Sequence, residues 1–197
     1  MALKTFVKIN TVNNLSDARY CAGMGVDLIG FNLDEEHPDF MSIESFREIS
    51  EWLAGVDFVG EFGNTAVTTI LDKLELYGLK MVETGNMKII DILKGEGYHV
   101  ILKWRLEEID LLPSGINADF LLLESSTTPD EGQIVGIKEK SGHIKILLAS
   151  GITEGNVKDL LQSTNAHGIA LTAGHEIRPG YKDYDEMADI LELLETE

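Results

Sequence analysis

The sequence is poor in cysteine, in basic residues and in long apolar runs. Its one cysteine, Cys21, excludes an internal disulfide and any metal site built from several cysteines. No apolar run approaches the roughly 20 residues that a membrane-spanning helix needs. The first eight residues also lack the apolar stretch of a secretory signal. We therefore expect a reduced, cytoplasmic protein that has no membrane partner.

Basic residues are outnumbered about two to one by acidic residues. The chain has 16 Lys or Arg and 34 Asp or Glu, which gives a formal net charge of −18. Nucleic acids and anionic membranes select basic patches, so we do not expect a nucleic-acid partner. Hydrophobic residues make up 44% of the 197 residues, enough for a core, and the composition predicts one folded domain rather than a disordered chain.

Eight short apolar runs recur along the chain and read as buried strands. Most are five to seven residues long and are bounded by Gly, Asn, Asp or Pro. Several are almost continuously apolar, which is typical of a parallel sheet covered by helices. Their starts lie 20 to 31 residues apart, about the length of a strand, a helix and two loops. The runs span residues 6–10, 27–33, 58–62, 79–83, 99–104, 119–125, 144–150 and 168–174.

Helical patterns fill the gaps between the predicted strands. Apolar residues at helical spacing predict helices over 42–53, 65–77, 153–161 and 183–194, with Ser42 as a cap. Cys21 falls in the first helix, and the segment after Trp104 is the weakest. Eight strand–helix units without a linker predict an α/β fold, a single-domain (β/α)₈ TIM barrel over residues 1–197. An open doubly wound sheet is the alternative, but the Gly-x-Gly-x-x-Gly loop that favours it is missing after the first strand.

The functional site of such a barrel lies at the C-terminal ends of its strands. Glu124 ends a strongly apolar run, where a carboxyl group tends towards a raised pKa and can act as a general acid; the alternative is an ordinary carboxylate at a loop edge. Arg105 can neutralise Glu124 or contact an anionic substrate. By strand alternation Lys8 and Lys103 point inward with Asn10 and Arg105, and we expect them to pair with carboxylates inside the barrel.

Small residues follow the seventh and eighth predicted strands. They are Ser150, Gly151, Ala173 and Gly174, and they allow backbone N–H groups to approach an anion. Barrels frequently bind a ligand phosphate at this position. The alternative is that the glycines serve only to make tight turns. The five histidines have no metal-ligand spacing, so we predict no metal site.

In several stretches the sequence resembles the phosphoribosylanthranilate isomerase family, and the likeness covers nearly the whole chain. The first strand matches the family's Lys-Ile-Cys-Gly-Ile-Thr end, the third its Val-Gly-Val-Phe-Val-Asn, and the seventh its Leu-Ala-Gly-Gly-Leu. Residues shared at the family's positions include Asp17, Gly25, Asp27, Gly30, Phe31, Pro38 and Ser42. The matching segments are Lys8-Ile9-Asn10-Thr11-Val12-Asn13, Val59-Gly60-Glu61-Phe62-Gly63-Asn64, Ala118-Asp119-Phe120-Leu121-Leu122-Leu123-Glu124, Leu148-Ala149-Ser150-Gly151-Ile152 and Pro179-Gly180-Tyr181-Lys182-Asp183.

The resemblance implies an isomerase of tryptophan biosynthesis that works without a cofactor. Family members convert phosphoribosylanthranilate to carboxyphenylamino-deoxyribulose phosphate by an Amadori rearrangement. An Asp protonates the ribose ring oxygen, a Cys removes the C2 proton, and an Arg holds the anthranilate carboxylate. The phosphate lies after the seventh and eighth strands, and the family includes both monomers and homodimers.

The chain departs from the family at these catalytic positions. Asn10 replaces the general-base Cys, and an amide cannot accept a proton at ordinary pH. Asp39 replaces the Arg, which turns attraction for an anionic ring substituent into repulsion. Glu124 replaces the acid Asp, and Thr84 replaces the usual His after the fourth strand.

Two functions therefore remain open. One is an altered Amadori-type isomerase acting on a phosphorylated, aminosugar-like substrate, with a replacement base drawn from Glu83, Asp34 or Asp39. The other is a non-catalytic barrel that binds a phosphorylated metabolite or a protein partner. Unless the barrel binds a protein partner, we expect its ligand to be a phosphorylated small molecule.

Overall fold

Eight parallel strands close into a barrel in chain order, each joined to the next over the outside of the barrel. The computed structural model describes residues 2–141, 143–149, 151–173, 175–178 and 181–196. The barrel strands are β1 (Phe6–Asn10), β2 (Leu28–Asn32), β3 (Asp57–Phe62), β4 (Met81–Thr84), β5 (His99–Arg105), β6 (Phe120–Glu124), β7 (Lys145–Leu148) and β8 (Gly168–Thr172).

Seven α-helices in the described ranges lie outside the strands. They are α1 (Leu15–Gly23), α2 (Ile43–Trp52), α3 (Val67–Tyr77), α4 (Ile90–Gly95), α5 (Glu131–Ser141), α6 (Val157–Thr164) and α7 (Asp185–Leu193). Two 3₁₀ turns, Met87–Ile89 and Leu106–Leu111, precede α4 and follow β5. A short antiparallel hairpin, β9 (His175–Arg178) with β10 (Tyr181–Asp183), separates β8 from α7. In the part of the chain that is described, no helix is long and apolar enough to cross a membrane.

The barrel predicted from the sequence is confirmed, with its strands in the predicted order. Ser42 caps α2 as expected, because its hydroxyl accepts a hydrogen bond from Ser45 N at 3.2 Å. The weak helix predicted after Trp104 is the 3₁₀ turn Leu106–Leu111. The last helix begins at Asp185 rather than at 183, because the hairpin occupies the residues before it.

Helix α5 had no counterpart in the sequence analysis. Asp130 Oδ1 accepts from Gln133 N at 2.8 Å, and Gln133 Oε1 accepts from Asp130 N at 3.0 Å. This reciprocal pair is a capping box, which satisfies N–H groups that the first turn of a helix leaves without partners. Asp130 and Glu131 are exposed, as the sequence suggested, but they also start a helix.

The buried residues form two separate clusters. The larger cluster lies between the strands and the helices, where it holds α2, α3, α6 and α7 against the barrel. The smaller cluster fills the barrel interior and is entirely apolar. Its buried members are Leu28, Val59, Ile101, Phe120, Leu122, Leu147 and Ala170. Next to this apolar layer, on the side where the strands end, the interior becomes polar.

Candidate functional site

A polar cavity of about 150 Å³ opens at the C-terminal ends of β1 to β6. We call it the mouth cavity. Acidic side chains dominate its walls, and one of its lining residues, Lys103, is cationic. The polar lining side chains are those of Asn10, Thr11, Asn32, Asp34, His37, Glu61, Glu83, Lys103 and Glu124.

Lys8 is the centre of a buried ionic cluster beneath this cavity. Its side chain extends from β1 and is fully buried. Its Nζ lies 2.5 Å from Glu61 Oε1, 2.8 Å from Glu83 Oε2 and 2.5 Å from Asn10 Oδ1. Burial alone would lower the pKa of Lys8, but attraction to Glu61 and Glu83 outweighs it and raises that pKa. Lys8 is therefore a held cation, and the prediction that it pairs with carboxylates is confirmed.

Glu61 and Glu83 are register neighbours on the parallel strands β3 and β4. Two carboxylates in that arrangement repel each other, and both are almost completely buried. Burial raises the pKa of Glu83 above its usual range and the Glu61 charge adds to this, while Lys8 and Lys103 oppose it. Lys8 offsets this repulsion because its ammonium group contacts both carboxylates.

The two carboxylates differ in how well they are satisfied. Glu61 accepts hydrogen bonds from Thr11 N at 3.1 Å, from Thr11 Oγ1 at 2.7 Å and from Lys8 Nζ. Glu83 Oε2, in contrast, accepts no aligned hydrogen bond from the described residues and is held by its ion pair with Lys8 Nζ at 2.8 Å. Its other oxygen, Oε1, lies 3.8 Å from Lys103 Nζ, which is beyond hydrogen-bond distance.

Gly30 on β2 provides the space in which Lys8 reaches Glu61. A Cβ at Gly30 would lie 1.8 Å from Glu61 Oε1 and 3.0 Å from Lys8 Nζ. No side chain fits between β1 and β3 at this level while both charged groups keep their positions. The ionic cluster therefore depends on a glycine that is not itself polar.

Glu124 contacts Lys103 rather than Arg105. Lys103 Nζ lies 3.6 Å from Glu124 Oε1, and the Glu124 side chain is about half exposed at the rim. Arg105 is exposed and pairs with Glu107 at 3.5 Å and Glu108 at 3.6 Å, on the turn that follows its own strand. Two roles were considered for Arg105. The first, neutralising Glu124, is performed by Lys103.

Asn10 and Asp39, where the sequence resemblance implies a base and a carboxylate anchor in the family, both take part in hydrogen bonds. Asn10 Oδ1 accepts from Lys8 Nζ, so its amide is oriented by the ionic cluster. Asp39 Oδ1 accepts from Asn13 Nδ2 at 2.8 Å, across the loops that follow β1 and β2. Asp39 N also donates to Nδ1 of His37, a residue of the cavity lining, at 3.1 Å.

Thr84 lies at the end of β4 but does not line the mouth cavity. It is fully buried, and its hydroxyl accepts a hydrogen bond from Asn86 N at 3.1 Å. The preceding residue, Glu83, lines the cavity instead. Since successive residues of a strand point to opposite faces, only one of the two can point inward.

A second cavity, of about 180 Å³, lies at the ends of β7 and β8. Its lining includes Asn10, Gly151, Thr172 and Glu186. Ala173 is buried and does not line it, and the predicted phosphate residues Ser150 and Gly174 lie outside the described residues.

The turn after β7 depends on the backbone conformation of Gly151 and on its close approach to Thr128. Gly151 has φ +66°, and a Cβ there would lie 2.6 Å from the backbone N and Cα of Thr128. Asn156 Nδ2 donates to Gly151 O at 2.7 Å, and Asn156 Oδ1 accepts from Thr153 N at 2.8 Å. This turn leads into α6, and its residues Gly151 and Ile152 line the cavity.

Sequence reasoning did not single out Glu61, although a signal was available. A charged residue at an inward position of a buried apolar run requires a partner of opposite charge. Lys8 lies at the same kind of position on the first predicted strand. The site offers two carboxylates for proton transfer, Glu83 and Glu124. Among the described residues, no group of three His, Cys, Asp or Glu side chains is arranged to hold a metal ion.

Comparison with known proteins agrees with this barrel. The family profile described as "N-(5'phosphoribosyl)anthranilate (PRA) isomerase" matches residues 7–193. An N-(5'-phosphoribosyl)anthranilate isomerase from Rubrobacter xylanophilus is 29% identical, covering 89% of this chain and 92% of its own.

Solved structures show the same fold at lower identity. The phosphoribosyl anthranilate isomerase of Thermus thermophilus superposes with a TM-score of 0.76 at 23% identity, covering 95% of this chain and 96% of its own. A phosphoribosyl anthranilate isomerase in complex with reduced 1-(o-carboxyphenylamino)-1-deoxyribulose 5-phosphate has the same TM-score and identity, with 95% and 97% covered. Because the profile spans nearly the whole chain, this protein belongs to the N-(5'-phosphoribosyl)anthranilate isomerase family.

Proposed function

We propose that this barrel binds a phosphorylated, aminosugar-like molecule and catalyses its Amadori-type aldose–ketose isomerisation, with Glu124 as the proton donor. The phosphate binds at the ends of β7 and β8, and the reacting carbons lie in the mouth cavity. One observation carries this proposal: Asn10 lines both cavities, so a phosphate in one lies next to the proton-transfer groups of the other.

The electrostatics of the mouth cavity argue for a substrate other than phosphoribosylanthranilate. Four carboxylates, those of Asp34, Glu61, Glu83 and Glu124, face the two ammonium groups of Lys8 and Lys103. An anionic ring substituent is repelled by such a surface, and Asp39 at the rim adds to the repulsion. We therefore propose a substrate whose amine substituent is neutral or cationic.

Binding without catalysis is the second candidate, and the state of Asn10 favours it. The amide cannot remove a proton, and its oxygen is occupied by Lys8 Nζ at 2.5 Å. In this candidate the barrel and its phosphate pocket serve to hold a metabolite.

The first experiment compares two substrates. The purified protein is incubated with freshly made phosphoribosylanthranilate, followed by loss of its fluorescence, and with N-(5'-phosphoribosyl)aniline, which lacks the carboxylate. We expect turnover of the aniline compound and little of the anthranilate. The double variant Asn10→Cys, Asp39→Arg should gain activity on the anthranilate.

The outcomes separate the candidates. If the unmodified protein turns over phosphoribosylanthranilate well, our interpretation of Asn10 and Asp39 is wrong. If it turns over neither compound but binds ribose 5-phosphate, the non-catalytic candidate replaces the isomerase.

The phosphate pocket has its own test, in Gly151→Ala. The new Cβ would displace Thr128 or the turn after β7, so we expect affinity for ribose 5-phosphate in calorimetry to fall at least about tenfold. Gly115→Ala is the matched control, because Gly115 also has a positive φ of +78° but open space around its Cβ. Equal affinity in both variants would contradict the placement of the phosphate.

A further inference from the structure

We propose that Glu83 is the general base of this barrel and takes the C2 proton that Asn10 cannot accept. The inference rests on the proposed isomerase function and deepens it, because it assigns the proton-accepting group. It follows from the position of Glu83, from the hydrogen bonds that it lacks, and from those that the other carboxylates possess.

The other carboxylates of the region are occupied. Asp34 accepts hydrogen bonds from Gly63 N at 2.6 Å and from the Thr65 hydroxyl, so it holds the loops after β2 and β3 together. Glu61 is held by Lys8 and by both donors of Thr11. A substrate hydrogen would have to displace one of these donors to reach either carboxylate.

Glu83 is the exception among these carboxylates. Its side chain is only 4% exposed, and one of its oxygens has no hydrogen-bond partner in the described ranges. Lys8 Nζ balances its charge from 2.8 Å, but a buried oxygen that accepts no hydrogen bond still calls for an explanation. Glu83 also lines the mouth cavity, so a bound substrate can reach it. Its pKa is raised by burial, which brings a carboxyl group closer to the range in which general bases work.

The location of Glu83 completes an acid–base pair. Lys103 Nζ lies 3.8 Å from Glu83 Oε1 and 3.6 Å from Glu124 Oε1, so one ammonium group is shared by the proposed base and the proposed acid. Lys8 Nζ contacts both Glu83 and Asn10, which places Glu83 one side chain away from the family's base position.

The proton balance closes with these two groups. Glu124 gives its proton to the ring oxygen while the C1–O bond breaks and the nitrogen lone pair forms a C1=N⁺ bond. Glu83 then takes the proton from C2, the C2–H electron pair forms a C1=C2 bond, and the C1=N electron pair returns to nitrogen. Tautomerisation of this enaminol removes one proton from O2 and adds one to C1. Both carboxyl groups thereby return to their starting states, and no oxidant or reductant is needed.

The test follows the C2 proton in D₂O. N-(5'-phosphoribosyl)aniline is incubated with wild type, Glu83→Gln and Glu83→Asp, and NMR measures the loss of C2 hydrogen together with kcat and KM. We expect Glu83→Gln to lower kcat by about 10²–10⁴-fold with little change in KM. Glu48→Gln on the exposed face of α2 is the matched control and should behave as wild type.

A pH profile distinguishes a base from a residue that only supports the fold. In wild type, kcat should rise with pH as Glu83 loses its proton, and this acidic limb should vanish from the residual activity of Glu83→Gln. If Glu83→Gln unfolds, Glu83→Asp decides the question, because it keeps the charge and withdraws it by one methylene. A base role predicts that kcat falls more than about tenfold in Glu83→Asp, whereas a structural role predicts no change.

The results separate the two proposals. Wild-type rates of C2 exchange in Glu83→Gln overturn the role of Glu83 and leave the isomerase intact. Absence of turnover in wild type, with ribose 5-phosphate still bound, overturns the isomerase and the base together.

Discussion

The two halves of the barrel interior follow opposite chemistry. The half near the strand starts is filled by apolar side chains such as Leu28, Phe120 and Leu122, which are buried without polar partners to satisfy. The half near the strand ends holds Lys8, Glu61 and Glu83, which are as deeply buried but are charged. Both halves belong to the same eight strands, a few residues apart.

The contrast separates stability from function. Apolar burial contributes about 25 cal/mol per Å² and needs no particular partner. A buried ion pair loses its hydration and is often no more stable than an apolar replacement of the same volume. A charged layer on one side only, facing the mouth cavity, is therefore better explained by ligand chemistry than by folding. The predictions below test this division, from the largest expected effect to the smallest.

Lys8→Met should have the largest effect on stability. It leaves Glu61 and Glu83 buried without their shared cation, and breaking a buried pair costs about 3–5 kcal/mol. Urea denaturation measures the loss. The triple variant Lys8→Met, Glu61→Leu, Glu83→Leu is the control, and we expect it to be about as stable as wild type or more so, while ligand turnover is lost. A triple variant far less stable than wild type would mean that the charged layer serves folding.

Leu122→Ala should destabilise the apolar half by about 2–5 kcal/mol. Leu122 is fully buried in the barrel interior, and its removal leaves a cavity there. Ribose 5-phosphate affinity below the unfolding temperature should stay the same. Leu76→Ala, at a half-exposed position on α3, should change stability by less than about 0.5 kcal/mol. A large loss of affinity in Leu122→Ala would show that the two halves are not independent.

Glu61→Gln should destabilise more than Glu83→Gln. The amide of the first variant meets donors on Thr11 and Lys8, so we expect a loss of about 1–3 kcal/mol in urea. Glu83 accepts no described hydrogen bond, and Glu83→Gln also relieves the charge repulsion with Glu61. The free energy of unfolding should therefore fall by less than about 1 kcal/mol in Glu83→Gln. Equal losses would contradict the distinction between Glu61, which accepts several hydrogen bonds, and Glu83, which is held mainly by its ion pair with Lys8.

The smallest effect is a pH dependence. The pKa of Glu83 is raised in the folded state from the ordinary 4.5. Between the ordinary pKa and the raised pKa, the folded state therefore binds more protons than the unfolded state. Unfolding free energy then falls as pH rises through that window. Glu83→Gln has no titrating group at this position, so the stability of wild type relative to Glu83→Gln should decrease as pH rises above the ordinary value of 4.5. Urea denaturation across that range measures it, and a difference that grows with pH would contradict the raised pKa.

Much of the fold was readable from the sequence, because strand-like and helix-like periodicities alternate eight times. Helix α5 was missed because two glycines, Gly132 and Gly136, lower its helix propensity, and its start depends on the reciprocal Asp130–Gln133 pair. The hairpin before α7 was missed because a Pro-Gly dipeptide in a sequence is typical of loops as well as of hairpins.

The site was readable only in part. Alternation along β1 and β5 was enough to point Lys8 and Lys103 inward. Their partners depend on barrel closure and on register between β3 and β4, which no local pattern encodes. For the same reason the sequence left two roles open for Arg105, neutralising Glu124 or contacting an anionic substrate, and did not reveal its pairing with the following turn.

Gly30 limits which substitutions this chain can accept while Glu61 is present. Even an alanine at that position would require Glu61 to move, since the new methyl group would overlap its carboxylate. We therefore expect strong epistasis: Gly30→Ala should be tolerated only after Glu61 has been replaced by a smaller apolar residue. The residue at position 30 therefore limits which side chains position 61 can hold, and the reverse is also true.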